Sequence, residues 1–299
     1  MPKTRLTIPY IIRKITGVPN LTLYFRKKRK PIEKFFHRKK YTAADIVEVL
    51  RESGVKPGHP IVVHSAMGQL YNFQGTADDL IDALLEFVGP EGTLCMPAYP
   101  FMKEDTSRIF DVRESKSAAG YLSETFRKRE GVLRSMNQLH SVCALGRDAG
   151  KIVGDHHHSR ICFDEHSPYY IIGQLGGYVV DLGLPKYFIG TGSHVCEAFL
   201  YDKMEYFRRK FTRSVEFTYK DYNGEIFKHT MLTTPAVPYI RSHSTKLIDR
   251  NFDKSKYRRT RLSNIWINVF DMKYLYTRLY ELALEGKTIY RTPKMASGK

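Results

Sequence analysis

The chain has 299 residues, of which 42% are hydrophobic and 26% charged. That balance excludes a disordered or low-complexity chain and fits one large globular domain. A formal net charge of +17 points to a polyanionic neighbour: nucleic acid, an anionic membrane surface or a phosphorylated ligand. Much of the charge is gathered near the start. The segment from Ile11 to Lys40 holds eleven Lys or Arg and a single acid, Glu33. Leu21, Leu23, Tyr24, Phe25, Phe35 and Phe36 are interleaved with those charges, a mixture suited to the face of an anionic lipid layer. Residues 1–40 are therefore expected to be a basic N-terminal extension and residues 41–299 the folded domain. Met1 to Thr7 is basic, but the apolar stretch that follows is broken by Arg13 and Lys14, so no signal peptide is expected. No run reaches the ~20 apolar residues of a spanning helix. The expected location is cytoplasmic, with peripheral attachment to the inner membrane through residues 11–40.

From Tyr41 the pattern becomes that of a folded domain. Thr42 to Gly54 has a capping Thr, Ile46, Val47 and Leu50 at helical spacing, and a terminating Gly. Pro60 to Met67 is a short apolar strand that ends in polar residues. Thr76 to Gly89 is a second capped amphipathic helix, and Gly92 to Pro100 a second buried strand. A helix is expected around Ala118 to Arg129, a strand over Ser141 to Gly146 and a short helix over Ser167 to Gly177. Tyr178 to Gly183 and Lys186 to Gly192 both have strand composition. Ser214 to Thr233 alternates with period two on either side of Tyr222-Asn223-Gly224-Glu225, the pattern of a hairpin. A final amphipathic helix is expected near Asp271 to Glu285. The basic run Asp253 to Arg261 has the composition of a solvated face. The fold class that follows is α/β: a mixed central sheet flanked by helices, with an antiparallel hairpin region in the C-terminal half.

Several stretches could carry chemistry. His156-His157-His158 suggests a metal, but adjacent histidines do not converge readily on one ion, and no spaced Cys/His set accompanies them. No metal is expected. Cys95, Cys143, Cys162 and Cys196 form no CxxC pair and have the setting of buried thiols in a reducing compartment. No G-x-S-x-G nucleophile elbow is present. The strand from Pro60 runs into His64, Ser65, Ala66 and Met67. Turns at the carboxyl ends of strands in α/β sheets commonly hold ligands. His194 and Glu197 are three residues apart, which on a helix places them on one face. A glutamate so placed can fix an imidazole tautomer and make the histidine a general base. The same spacing also occurs at helix starts with two satisfied polar residues.

These pieces, in this order, resemble the aminoglycoside N3-acetyltransferase family, from about Tyr41 to the last helix. Val63, His64, Ser65, Ala66, Met67 and Gly68 look like that family's "VHSSLSxLG". The stretch from Gly75 to Pro100, that from Val132 to Ala149 and that from Asp164 to Gly177 look like three further family motifs. His194-Val195-Cys196-Glu197 can be laid on the "HYxE" of members that act in surface-sugar biosynthesis, and "EYFRRKFT" (Glu205 to Thr212) on the "PYRYxKxF" that follows. The resemblance implies acetyl transfer from acetyl-CoA to an amino sugar, free or nucleotide- or lipid-linked, or to an aminoglycoside-like amine. It implies His194 and Glu197 as catalytic, His64, Ser65, Ala66 and Met67 as cofactor-binding, and His140, Ser141 and Asp164 as substrate-binding. The chain departs from the pattern at Asn137-Gln138 and at Ile161 to Asp164. An ungapped alignment to the drug-modifying branch would put Leu200 and Lys203 at the catalytic positions, and the protein would then be a silent relative. The rival from another class is a basic nucleic-acid binder. No groove-reading motif is present, so no specific nucleic acid is expected as a partner.

Overall fold

The computed structural model describes residues 34–101, 105–234 and 244–290. The basic segment before residue 34 lies outside them, and with it nearly all of the proposed membrane face. The chain is already tied to the domain at His37, whose carbonyl accepts from Asn72 Nδ2 at 2.6 Å. Tyr41, 1% exposed, bridges to Phe73.

Two helices begin with the same device. Thr42 caps α1 (Ala43–Glu52) and Thr76 caps α2 (Ala77–Val88). In each, the threonine hydroxyl accepts from the backbone of the acid three residues on, and that carboxylate accepts from the threonine backbone. This reciprocal pair satisfies two otherwise orphaned donors of the first turn. After α1 the chain enters β1 (Pro60–Ser65), and after α2 it enters β2 (Thr93–Pro97). Then follow β3 (Ile109–Asp111), α3 (Tyr121–Arg127), β4 (Leu133–Arg134), β5 (Val142–Gly146), α4 (Ala149–Val153), α5 (Pro168–Gln174) and β6 (Tyr178–Leu182). The second half comprises α6 (Val195–Leu200), α7 (Glu205–Lys210), β7 (Arg213–Lys220), β8 (Ile226–Thr233), α8 (Ser244–Asn251), β9 (Tyr257–Leu262), β10 (Ile265–Asp271) and α9 (Met272–Leu284).

A seven-stranded sheet runs in the order β4-β5-β2-β1-β6-β10-β9. Its centre, β2-β1-β6, is parallel, and the strands on both flanks are antiparallel. The sheet is mixed, as expected, and covered on both faces. Ile61 and Val63 share a core with Leu50 of α1 and Leu84 of α2. Val62, between them, faces the opposite core with Ile172 of α5 and Leu279 of α9. That alternation explains why β1 reads as one continuous apolar run. The hairpin expected at Ser214 to Thr233 is β7–β8, with β3 added beside β7. It turns at Asp221, whose carboxylate accepts from the backbone N–H of Asn223 and Glu225, both at 2.8 Å.

One expected strand is not a strand. Lys186 to Gly192 forms a turn, an irregular stretch and the start of a 3-10 turn, Thr191–His194. The place beside β6 is taken by β10, paired from Ile267↔Leu182 to Asp271↔Tyr178. The Asn268 side chain donates to the carbonyls of Pro185 and Phe188, holding the segment off the ladder. The basic run Asp253 to Arg261 leads into β9, an edge strand. Charge on an exposed edge discourages pairing with another chain.

Candidate active site

The turn that carries His194 depends on two close approaches. Gly190 has φ +69°, and a Cβ there would meet Val179 Cγ1 at 2.4 Å. At Gly192 a Cβ would meet Met272 Sδ at 2.3 Å. Only glycine lets this turn lie flat on β6 and the start of α9. Ser193 Oγ donates to Gly190 O at 2.9 Å and locks the turn. His194 therefore precedes α6 directly, and Glu197 falls in the first turn of that helix.

His194 Nδ1 lies 2.7 Å from Glu197 Oε1. A carboxylate has no proton to give, so Nδ1 carries the proton and the basic lone pair is on Nε2. Glu197 is 2% exposed, and its other oxygen pairs with Lys210 Nζ, itself buried. Burial pushes the Glu197 carboxyl up, but the charges and hydrogen bonds of His194 and Lys210 outweigh it and hold the pKa down at about 2. Tyr290 completes the group. Its hydroxyl is 3.3 Å from His194 Nδ1, and the Lys210 ammonium lies 4.4 Å from its ring centroid. The Phe163 ring packs on His194 with centroids 5.2 Å apart.

These residues line a cavity of about 290 Å³. Its apolar wall includes Leu139, Phe163, Val215 and Phe217, and its polar wall His140, Arg213 and Thr233. The sheet β3-β7-β8 supplies part of this wall, because Val215 and Phe217 alternate inward along β7.

The other expected residues are distributed differently. His140 lines the cavity and packs on Phe163 with ring centroids 4.5 Å apart. Ser141 is fully buried behind it, accepting from Arg134 Nε at 3.3 Å. Asp164 staples its own loop, with its carboxylate accepting from Ser159 Oγ and from the backbone of Arg160, Ile161 and His166. His64 is buried at the end of β1. Its Nε2 is 3.0 Å from Thr191 Oγ1 and its Nδ1 3.3 Å from Asp181 Oδ1. Ser65, Ala66 and Met67 are half-buried at the strand end, and the Ala66 N–H is engaged by Leu182 O at 2.9 Å. Leu200 is a core residue and Lys203 is exposed, and neither lines the cavity. His156 is buried between Ser135 Oγ and Cys162 O. Burial lowers its pKa to about 3. Among the described residues no His, Cys, Asp and Glu group could hold a metal. The four cysteines are buried and form no disulfide. Lys210, Arg213 and Tyr290 were not singled out from the sequence. Lys210 had one signal, its place within the "EYFRRKFT" match.

Comparison with known proteins shows the fold first. Aminoglycoside acetyltransferase AAC(3)-IVa, in a histidine-to-alanine variant with a bound gentamicin, superposes with a TM-score of 0.69 at 20% identity, over 88% of this chain and 95% of that one. AAC-IIIb with CoASH gives 0.67 at 21% identity, over 85% and 100%. The fold is thus that of the AAC(3) acetyltransferases. A family model described as aminoglycoside 3-N-acetyltransferase matches residues 62–282, and the chain belongs to that family. Among curated relatives, aminoglycoside N(3)-acetyltransferase IV of Salmonella sp is 30% identical over 146 residues, 47% of this chain and 53% of the relative. The chain spans about half the length of the curated relatives it matches.

Proposed function

We propose that the chain is an acetyl-CoA-dependent N-acetyltransferase, with His194 as general base and an amino sugar or aminoglycoside-like amine as acceptor. The observation that carries this reading is the 2.7 Å contact between His194 Nδ1 and Glu197 on the wall of a cavity. Family membership and the CoASH bound to AAC-IIIb support the choice of acyl donor.

When bound, acetyl-CoA would supply the acyl group as a thioester. A cavity of about 290 Å³ is at the small end of ligand pockets. It fits the reacting ends of donor and acceptor, with the bulk of the coenzyme outside it. The half-buried turn of Ser65, Ala66 and Met67, at the carboxyl end of the parallel strands, is the proposed contact for the donor. His140 is the proposed contact for the acceptor, with Ser141 and Asp164 shaping the loops on either side.

An amine is mostly protonated near neutral pH and attacks only after losing a proton. Nε2 of His194 accepts that proton. Glu197 holds the ring and stabilises the imidazolium that forms. Lys210 keeps Glu197 ionised, so the carboxylate stays an acceptor throughout. Phe163, Val215 and Phe217 exclude water from the base.

Calorimetry with acetyl-CoA and a thiol-release assay on wild type and His194→Ala test this reading. The expected result is donor binding by both proteins, with turnover in the wild type only. Turnover by His194→Ala would remove His194 from the mechanism. Absence of donor binding would remove the activity.

A further inference from the structure

We propose that the folded domain carries its own docking face for an anionic lipid bilayer, formed by the helical turn at residues 34–36, the β9–β10 hairpin and the loop before Gly190. The inference is independent of the acetyl-transfer reading. It goes beyond the basic segment 11–40, because it places part of the contact on residues 186–266.

The face is a run of cation–ring contacts. Arg38 lies 4.6 Å from the Phe35 ring centroid and donates to Phe35 O at 3.1 Å. Arg261 Nη2 donates to His37 Nε2 at 2.7 Å, and its guanidinium lies 5.5 Å from the Trp266 ring. Lys186 reaches both Trp266 and Tyr187, 4.8 and 5.3 Å from the ring centroids. Ser263, in the turn between β9 and β10, donates to Lys39 O and accepts from Asn72, which ties the segment after Lys34 to this edge of the sheet. Phe35, Phe36 and Tyr187 are 63%, 73% and 44% exposed.

Two features point to lipid. Among the described residues Lys34, Arg38, Lys186 and Arg261 meet no carboxylate. Arg51, Arg129 and Arg147, elsewhere on the surface, each hold an acid. Cations left without acids beside exposed phenylalanines suit charged headgroups and the acyl boundary beneath them. Trp and Tyr rings, apolar with one polar end, favour the same depth. The second feature is where the described chain starts. Lys34 lies on this face, so residues 11–33, with seven Lys or Arg and one acid, Glu33, are joined to it. A nucleic acid fits less well. The Phe35 and Phe36 rings stand at 90° to each other and offer no parallel platform to successive bases. The Trp266 ring is already engaged by two cations.

Flotation of the full chain would compare vesicles of equal parts phosphatidylcholine and phosphatidylglycerol with vesicles of phosphatidylcholine alone, and filter binding would measure single-stranded DNA. Binding is expected to the anionic vesicles only, weakening as salt rises. Lys186→Glu with Arg261→Glu is expected to weaken it at least ~10-fold. Lys128→Glu with Lys151→Glu makes the same change in net charge at exposed positions beside β5, toward the other edge of the sheet. That pair is expected to change binding less than ~3-fold. Thermal melts of both double variants are expected to match wild type. Phe35→Ser with Phe36→Ser is expected to remove the binding that survives at high salt, and it keeps the test open if a charge-reversed chain does not fold. Equal weakening by the two charge-reversed variants, or equal binding to both kinds of vesicle, would overturn the proposal. So would unchanged binding in the phenylalanine variant or in Lys186→Glu with Arg261→Glu, or DNA held more tightly than the anionic vesicles through the same residues.

Discussion

The molecule contains two histidine–carboxylate pairs close to the same turn. His64 and Asp181 sit opposite each other on β1 and β6, 3.3 Å apart and buried. His194 and Glu197 sit at the start of α6, 2.7 Å apart, on the wall of a cavity. In the first pair burial pushes the carboxyl pKa up, only partly offset by His64. In the second a buried ammonium joins the carboxylate, and the pKa is held down at about 2. The two carboxyl groups are thus shifted in opposite directions, and the difference lies in Lys210. His64 binds Thr191 and so braces the turn that carries His194. On the proposed reading the buried pair positions and the cavity pair reacts.

The comparison can be broken most directly at the base. His194→Ala is expected to lower turnover by about 10²–10⁴ while acetyl-CoA affinity, measured by calorimetry, changes little. Next in size is Glu197→Gln, which leaves the Lys210 charge buried without its partner. A loss of about 3–5 kcal/mol is expected in chemical denaturation. The double variant Glu197→Gln with Lys210→Met should recover most of that stability and none of the turnover. No recovery of stability would mean that Lys210 is not what Glu197 holds.

The pH dependence sharpens the same contrast. The Glu197 pKa is depressed from the ordinary 4.5 to about 2. Its contribution is therefore present above pH 4.5 and lost as pH falls toward 2. Acid unfolding of Glu197→Gln should lack that component. Thr191→Val removes the hydroxyl bonded to His64 and is expected to cost about 1 kcal/mol. Asp181→Asn is expected to have the smallest effect, below about 1 kcal/mol, because burial opposes the charged carboxylate there, whereas Lys210 and His194 support that of Glu197. A larger loss at Asp181 than at Glu197 would reverse the assignment of the two pairs.

The parts of the fold legible in the sequence were those fixed by local chemistry. The capping threonines and helical spacing marked α1 and α2, and the apolar runs marked β1, β2 and β6. Lys186 to Gly192 misled because its aromatic and branched residues suit a strand, whereas strand identity there depended on whether a neighbour was available, and β10 had filled the place. The pair β9–β10 was hidden for a related reason: the Lys and Arg of an edge strand read as a solvated face. At the site, His194 and Glu197 showed themselves by spacing within one helix turn. Lys210 and Tyr290 could not, since they arrive from α7 and from beyond α9.

That last contact has a consequence for how the protein comes into being. The tyrosine that touches the imidazole is made 96 residues after it. A growing chain therefore holds His194 and its carboxylate long before the last piece of the wall beside them exists. A message cut short before residue 290 would yield a product with most of the core and a misshapen reaction chamber.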